Sequence, residues 1–300
     1  MAQTCKSILV FIEGACDGNL LEESKHEEMD RIASIGGTTL VHGRKLFPSS
    51  IPNSTMINND CGYLMQLFDY LDPIHPVDEE EANLWKENPE LELEKQSLFC
   101  KFKKLKVEMW TTNNNVLNIF KSKKDNAKFL NFIVNNKEEE DAICENAVQA
   151  MLSNDILILH DNITKLQTIE EKRNHIQQID HLLKQVNNLF TQKQNQFKIY
   201  NVILVSTPFN SVLPSFNKKS SPFRPLQSYE QKNGTILTDI VHHEPSLICV
   251  QHCEGETRSD TNTQLTEKSS IELNGNCAIL IDFVISEMAY KLRKSPKYGA

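Results

Sequence analysis

The sequence predicts a mixed α/β fold: a parallel strand-helix-strand central unit, with an antiparallel β-meander and a closing C-terminal helix added to it. Three observations carry this reading. Ile156 to Leu159, followed by His160, is a short apolar run bounded by polar residues, the pattern of a strand buried on both faces. Between 164 and 196, Leu166, Ile169, Ile176, Ile179, Leu182, Leu183, Val186, Leu189 and Phe190 recur three, four or seven apart and make one stripe of a long helix. Ile199 to Val205 is again apolar and β-branched, and Ser206, Thr207 and Pro208 stop it. Two strands joined by such a crossover helix run parallel in one sheet. Burying the stripe is worth on the order of 10 to 20 kcal/mol before entropy is charged. Ile169, Ile176, Leu183 and Phe190 also fall at heptad spacing, so the competing reading is a coiled-coil arm.

The other elements follow in chain order, and the whole reads as one domain over residues 1–300. Ser7 to Ile12 is a first buried strand, and residues 13–19 are the loop at its carboxyl end, where ligands of α/β proteins gather. No D-x-S-x-S metal pattern and no glycine-rich phosphate loop occurs, so Glu13 and Asp17 read as solvated loop acids. Residues 22–35 form a polar helix stopped by Gly36 and Gly37, and Thr38 to His42 a strand. Leu64, Leu67, Phe68 and Leu71 have helical spacing, and the proline- and acid-rich stretch 73–96 is an exposed acidic connection. Short strand-like runs separated by Asn- and Lys-rich turns make 97–135 an antiparallel meander. Residues 138–152 return to helix, with acids in the first turn to suit its dipole. After the core unit at 155–208 comes a long exposed loop, 206–234, then strands at 235–241 and 246–253, a polar loop and the closing helix at 277–293.

Composition narrows the function classes. With 300 residues the chain can bury a core without staples, and its net charge of -8 argues against a protein devoted to nucleic acid or anionic membrane. The eight cysteines are scattered, several of them inside apolar runs, which places the chain in a reducing, intracellular compartment, nuclear or cytoplasmic. No apolar run is long enough for a membrane helix.

Four groups of residues can carry chemistry or binding. His160 and Asp161 end a core strand and Ser206 ends its parallel partner, so a nucleophile-base-acid trio can be drawn, although Ser206 lacks the G-x-S-x-G elbow. Asp161 or Asn162 equally suits the cap of the following helix. His242, His252 and Cys253 are ligand types near two predicted strand ends, but their spacing matches no established zinc pattern. Lys101, Lys103, Lys104 and Lys106, interleaved with aromatic residues, resemble a surface for single-stranded nucleic acid, and equally a protected sheet edge. Arg44, Leu46 and Phe47 are similar to the R-x-L-F docking peptide of cyclin-dependent kinase substrates, and Ser221 with Arg224 resembles an S-P-x-R phosphorylation site.

In the absence of a phosphate loop, nucleophile elbow or metal spacing, the preferred expectation is a non-enzymatic protein-interaction subunit of a larger assembly, nuclear and cell-cycle linked, with protein partners and no cofactor. The alternative is a metal-assisted hydrolase using His160, Asp161, His242 and His252 at strand carboxyl ends.

Overall fold

A computed structural model describes residues 4–43, 62–68, 105–114, 127–129, 136–193, 197–209, 211–213, 231–232, 235–236, 245–273 and 279–295. The first strand, β1 (Thr4–Glu13), leads into two short helices, α1 (Leu20–Glu23) and α2 (Glu27–Ile35), and then β2 (Gly37–His42). Helix α3 (Gly62–Leu67) precedes β3 (Val107–Thr111) and β4 (Ala127–Phe129). The core unit follows as α4 (Lys137–Ser153), β5 (Ile156–Asn162), α5 (Ile169–Lys193) and β6 (Phe197–Ser206). A two-strand ribbon of β7 (Gln231–Lys232) and β8 (Thr235–Ile236) comes next, then β9 (Leu247–Cys253), α6 (Glu267–Leu273), β10 (Ile279–Leu280) and α7 (Asp282–Lys291).

Among the described residues the main sheet has the order β10-β2-β9-β6-β1-β5-β3-β4. All its pairings are parallel except those of β9, which runs antiparallel to both β2 and β6. The mixed α/β fold is therefore as the sequence predicts. β5 and β6 are parallel, but β1 lies between them, because its apolar run pairs along its whole length with β6 on one side and with β5 on the other. The 25-residue α5 is long enough to carry the chain across the intervening strand.

One face of the sheet is covered by α1, α2, α4 and α5, packed around Val10, Leu157, Leu159, Ile203 and Val205. The other is covered by α3 and α7 over Leu9, Phe11, Ile158, Val202 and Leu204. The alternation of these two sets along β1, β5 and β6 is the period of two that sends successive side chains to opposite faces. Ile176, Ile179, Leu183, Val186 and Phe190 of α5 are fully buried against the first face, so the helix belongs to the domain; Ile169, 61 % exposed, is the heptad member left outside.

Several boundaries differ from expectation. The stretch 97–135 is not an antiparallel meander where it is described: β3 pairs in parallel with β4 and with β5. The fifteen residues between Thr111 and Ala127 suffice for a crossover, and their turn-like composition mimicked hairpin turns. The helix expected over 22–35 is broken, because Asp180 of α5 accepts hydrogen bonds from the Glu28 and Met29 N–H groups (3.2 and 2.7 Å) and so starts α2 afresh. Residues 279–280 pair with β2 before the closing helix begins. The loop beginning at Ser206 is buried at its start, with Ser206, Thr207 and Leu213 at 0, 2 and 1 % exposure. Near its end Gln231–Lys232 pair antiparallel with Thr235–Ile236; the rest of it, like the acidic connection 73–96, lies outside the described residues.

Glu22 accepts hydrogen bonds from the Glu267 and Lys268 N–H groups at the start of α6, and this brings a second, buried carboxyl beside it. Burial, and then the charges of Glu22 and Asp17, push Glu267 up from 4.5 to about 7. Its folded-state value is raised, so this group costs no stability below about pH 4.5; the cost grows as pH rises toward 7 and is constant above it. Glu267→Gln is therefore expected to stabilise the protein by on the order of 1 to 3 kcal/mol at pH 8 and to be near neutral at pH 4.5. Urea unfolding of both proteins at the two pH values measures the difference.

Candidate functional site

The carboxyl ends of β5, β1 and β6 bring Asn162, Glu13 and Ser206 into one row, since Glu13 is the register partner of both the others. Their side chains share the face that carries Phe11, His160 and Leu204, two residues earlier on each strand. Glu13 is 2 % exposed and is no solvated loop acid. Its Oε2 accepts a hydrogen bond from Asn162 Nδ2 at 2.9 Å, and its Oε1 stands 3.5 Å from His160 Nε2. Asp17, the other acid of that loop, is surface-exposed and paired with Lys172.

His160 is completely buried, with its ring tilted against Phe11 and its Nδ1 at 2.7 Å from Thr111 Oγ1. The Asn113 N–H donates to that same hydroxyl oxygen (3.0 Å). Each group is used once if the Thr111 proton goes to Nδ1, which assigns the imidazole proton to Nε2, facing the Glu13 carboxylate. The three groups then form a directed line from Thr111 through His160 to Glu13.

Gly14 lets the chain leave β1 at this point. Its φ is +88°, and a Cβ there would lie 2.5 Å from Thr164 Cγ2, so only glycine fits without strain. In this turn the Gly14 N–H donates to the Ser206 carbonyl and Oγ (3.1 and 3.3 Å), and the Cys16 N–H to the same carbonyl (2.8 Å). On the β6 side, Tyr63 of α3 places its hydroxyl 3.4 Å from Thr207 Oγ1, and Thr207 is fixed to the Ser246 carbonyl. Burial pushes the Tyr63 phenol up, opposed by the Ser246 and Thr207 hydroxyls; the Glu13 charge adds to the rise. The strand-end row is thus lined with hydroxyls beside one carboxylate and one imidazole.

The trio drawn from the sequence does not assemble. Asp161 points to the opposite face from His160, where it accepts from Thr112 Oγ1 (2.6 Å) and pairs with His175 Nδ1 of α5 (2.8 Å). Ser206 is on the correct face but two strands over and two residues further along, about 12 Å away by strand spacing. Asn162 caps the short 3-10 turn (Ile163–Lys165) after β5, its Oδ1 accepting from the Thr164 N–H at 3.1 Å, so Asn162 rather than Asp161 does the capping.

The trio His242, His252 and Cys253 cannot be followed as a whole because His242 lies outside the described residues, but the hydrolase set that joins His252 to His160 does not come together, for a topological reason. β9 runs antiparallel, so His252 and Cys253 at its end lie at the amino-terminal edge of the parallel strands, with His252 roughly 17 Å from His160 by strand spacing. His252 is instead held at the Ile35 carbonyl (3.0 Å) and Cys253 beside Cys5. Among the described residues no three His, Cys, Asp or Glu side chains are grouped to hold a metal ion. Lys106 is exposed, and its backbone N–H donates to Asp155 (2.9 Å). His242, Arg44, Leu46, Phe47, Ser221, Arg224, Lys101, Lys103 and Lys104 lie outside the described residues. No helix among the described residues is long and apolar enough to cross a membrane.

No protein-family model matches the chain, and no curated protein matches it by sequence. Solved structures do. The PH0037 protein of Pyrococcus horikoshii is similar over 100 % of this chain and 100 % of its own, with 13 % identity and a TM-score of 0.50. A cofactor-independent phosphoglycerate mutase from Thermoplasma acidophilum is similar over 97 % of this chain and 100 % of its own, with 11 % identity and a TM-score of 0.50. At such identities the likeness is one of fold. It nonetheless overturns the expectation of a non-enzymatic, nuclear, cell-cycle-linked scaffold, since a solved enzyme shares this architecture over essentially the whole chain. That expectation rested on missing local motifs, whereas the polar groups gathered here come from strands far apart in sequence. From the sequence, Thr111, Tyr63 and Ser246 are not singled out as site residues, and Glu13 reads as a solvated loop acid, Asn162 as a cap and Thr207 as a strand stop; for Glu13 the available signal was its position as the first polar residue after a fully apolar strand.

Proposed function

We propose that the chain is an enzyme of ester or phosphoryl-group chemistry, a hydrolase or mutase, with its reaction centre at Glu13 and His160. One observation carries the proposal: a buried carboxylate and a buried imidazole, 3.5 Å apart, at the carboxyl ends of two adjacent parallel strands. Ligands of open α/β sheets bind at that edge, and buried acid-base pairs in such places are set up for proton transfer. The fold shared with a phosphoglycerate mutase supports the phosphoryl class.

Glu13 takes the proton of the attacking water or hydroxyl as the new bond to phosphorus or carbon forms. His160, kept as the Nε2–H tautomer by Thr111, holds the Glu13 carboxylate in line through that N–H, and Glu13 passes the proton it has taken to the departing ester oxygen. The Tyr63 and Ser246 hydroxyls supply donors for the oxygens of the transferring group. Purified protein is to be incubated with p-nitrophenyl phosphate, 3-phosphoglycerate, a sulfate monoester and a carboxylic ester, with and without added divalent cation. Turnover or positional transfer with at least one ester is expected. Rates equal to the blank across the whole set overturn the proposal.

A further inference from the structure

At the opposite edge of the sheet two cysteines meet. Cys5 opens β1 across from Lys198, and Cys253 closes β9 across from Tyr200, so the antiparallel course of β9 returns its last residue to the amino-terminal ends of β1 and β6. Their sulfurs are 3.6 Å apart although the residues are 248 positions apart in sequence. We propose that Cys5 and Cys253 are a redox modification site, closing reversibly to a disulfide when hydrogen peroxide oxidises the pair.

The surroundings favour this pair over the other described thiols. Burial pushes up the thiols of Cys16, of Cys144 to about 11, and of Cys249 to about 12, which keeps them protonated and inert. Cys253 moves the other way: the hydrogen bond it shares with the Cys5 sulfur lowers its thiol against the opposing burial and Glu256 charge, and Lys198 and Lys291 add positive charge nearby. Those lysines are themselves held, Lys198 Nζ on the Glu254 carbonyl (2.8 Å) and Lys291 Nζ on the Glu256 carbonyl (3.2 Å). Cys253 is seated by its own N–H, which donates to Thr257 Oγ1 (2.9 Å). Cys5 is half-buried, which opens the pair to a small oxidant.

The chemistry balances with peroxide alone. The Cys253 thiolate attacks one peroxide oxygen, the O–O bond breaks, and hydroxide leaves to be protonated by solvent. The resulting sulfenic acid is attacked by the Cys5 sulfur, the S–S bond forms, and the sulfenic oxygen leaves as water with the Cys5 proton. Two thiols thus lose two electrons and one peroxide becomes two waters. The new bond joins β1 to β9 across β6, and because two strand spacings part the two backbones by more than about 7 Å, the strand ends must draw together as it closes.

The test uses the full chain, exposed to an equimolar amount of hydrogen peroxide, then alkylated and digested for peptide mapping. A linked Cys5–Cys253 peptide is expected as the main cross-linked product, with a rise in the thermal midpoint that dithiothreitol reverses. In Cys5→Ser the cross-link should vanish while Cys253 is trapped as sulfenic acid by dimedone; in Cys253→Ser both signals should be lost. Full alkylation of Cys5 and Cys253 after peroxide, or cross-links formed mainly by other cysteines, overturns the proposal.

Discussion

Leu183→Asp is expected to unfold the domain. Leu183 is fully buried where α5 meets the sheet, so the substitution removes an apolar side chain from the core and leaves a carboxylate with no buried partner. The lost burial is worth about 2 to 3 kcal/mol and the stranded polar group several more. Against a total stability of about 5 to 15 kcal/mol for a typical domain, a loss of at least about 4 kcal/mol is expected. Urea unfolding followed by circular dichroism gives the number. A variant that keeps its fold and loses only self-association would restore the coiled-coil arm.

Asp161→Ala is the second large effect. Asp161 is 1 % exposed, takes the Thr112 hydroxyl on one oxygen and His175 on the other, and thereby fixes the start of α5 to the end of β5. Removing one member of a buried hydrogen-bonded pair costs about 3 to 5 kcal/mol, because the partner keeps its desolvation cost and loses its compensation. Asp161→Asn, which keeps the shape and one acceptor, should cost less. Thermal unfolding separates the two variants. If Asp161→Asn instead abolished turnover in a fully stable protein, Asp161 would belong to the chemistry and not to the scaffold.

The parts of the molecule legible in the sequence are those determined by local periodicity. The Ile176-to-Phe190 stripe, the apolar run Ile156–Leu159 and the apolar run after Lys6 each declare their element, and the parallel sense of β5 and β6 follows from the crossover between them. Neighbour relations were not legible in that way. Nothing local says that β1 inserts between β5 and β6, or that β3 pairs in parallel with β4, because those choices depend on which faces remain to be covered once the chain has collapsed.

The site divides along the same line. His160 stood out because it ends a recognisable strand. Glu13 did not, since its burial depends on Asn162, 149 positions away, and on a glycine turn that only the folded chain shows to be left-handed. Asp161 was misassigned for a simpler reason: adjacent strand residues face opposite ways, so His160 and Asp161 were never able to share a site.

The most direct test of the central claim is the turnover of the best ester substrate by Glu13→Gln, in a protein whose circular dichroism and unfolding midpoint show it to be folded. The replacement keeps the side chain's size and an acceptor for Asn162 while removing the base. A fall in kcat of about 10² to 10⁴-fold is predicted, the range lost with a positioned general base. Wild-type kcat in the folded Glu13→Gln protein would contradict the assignment of Glu13 and His160 as the reaction centre.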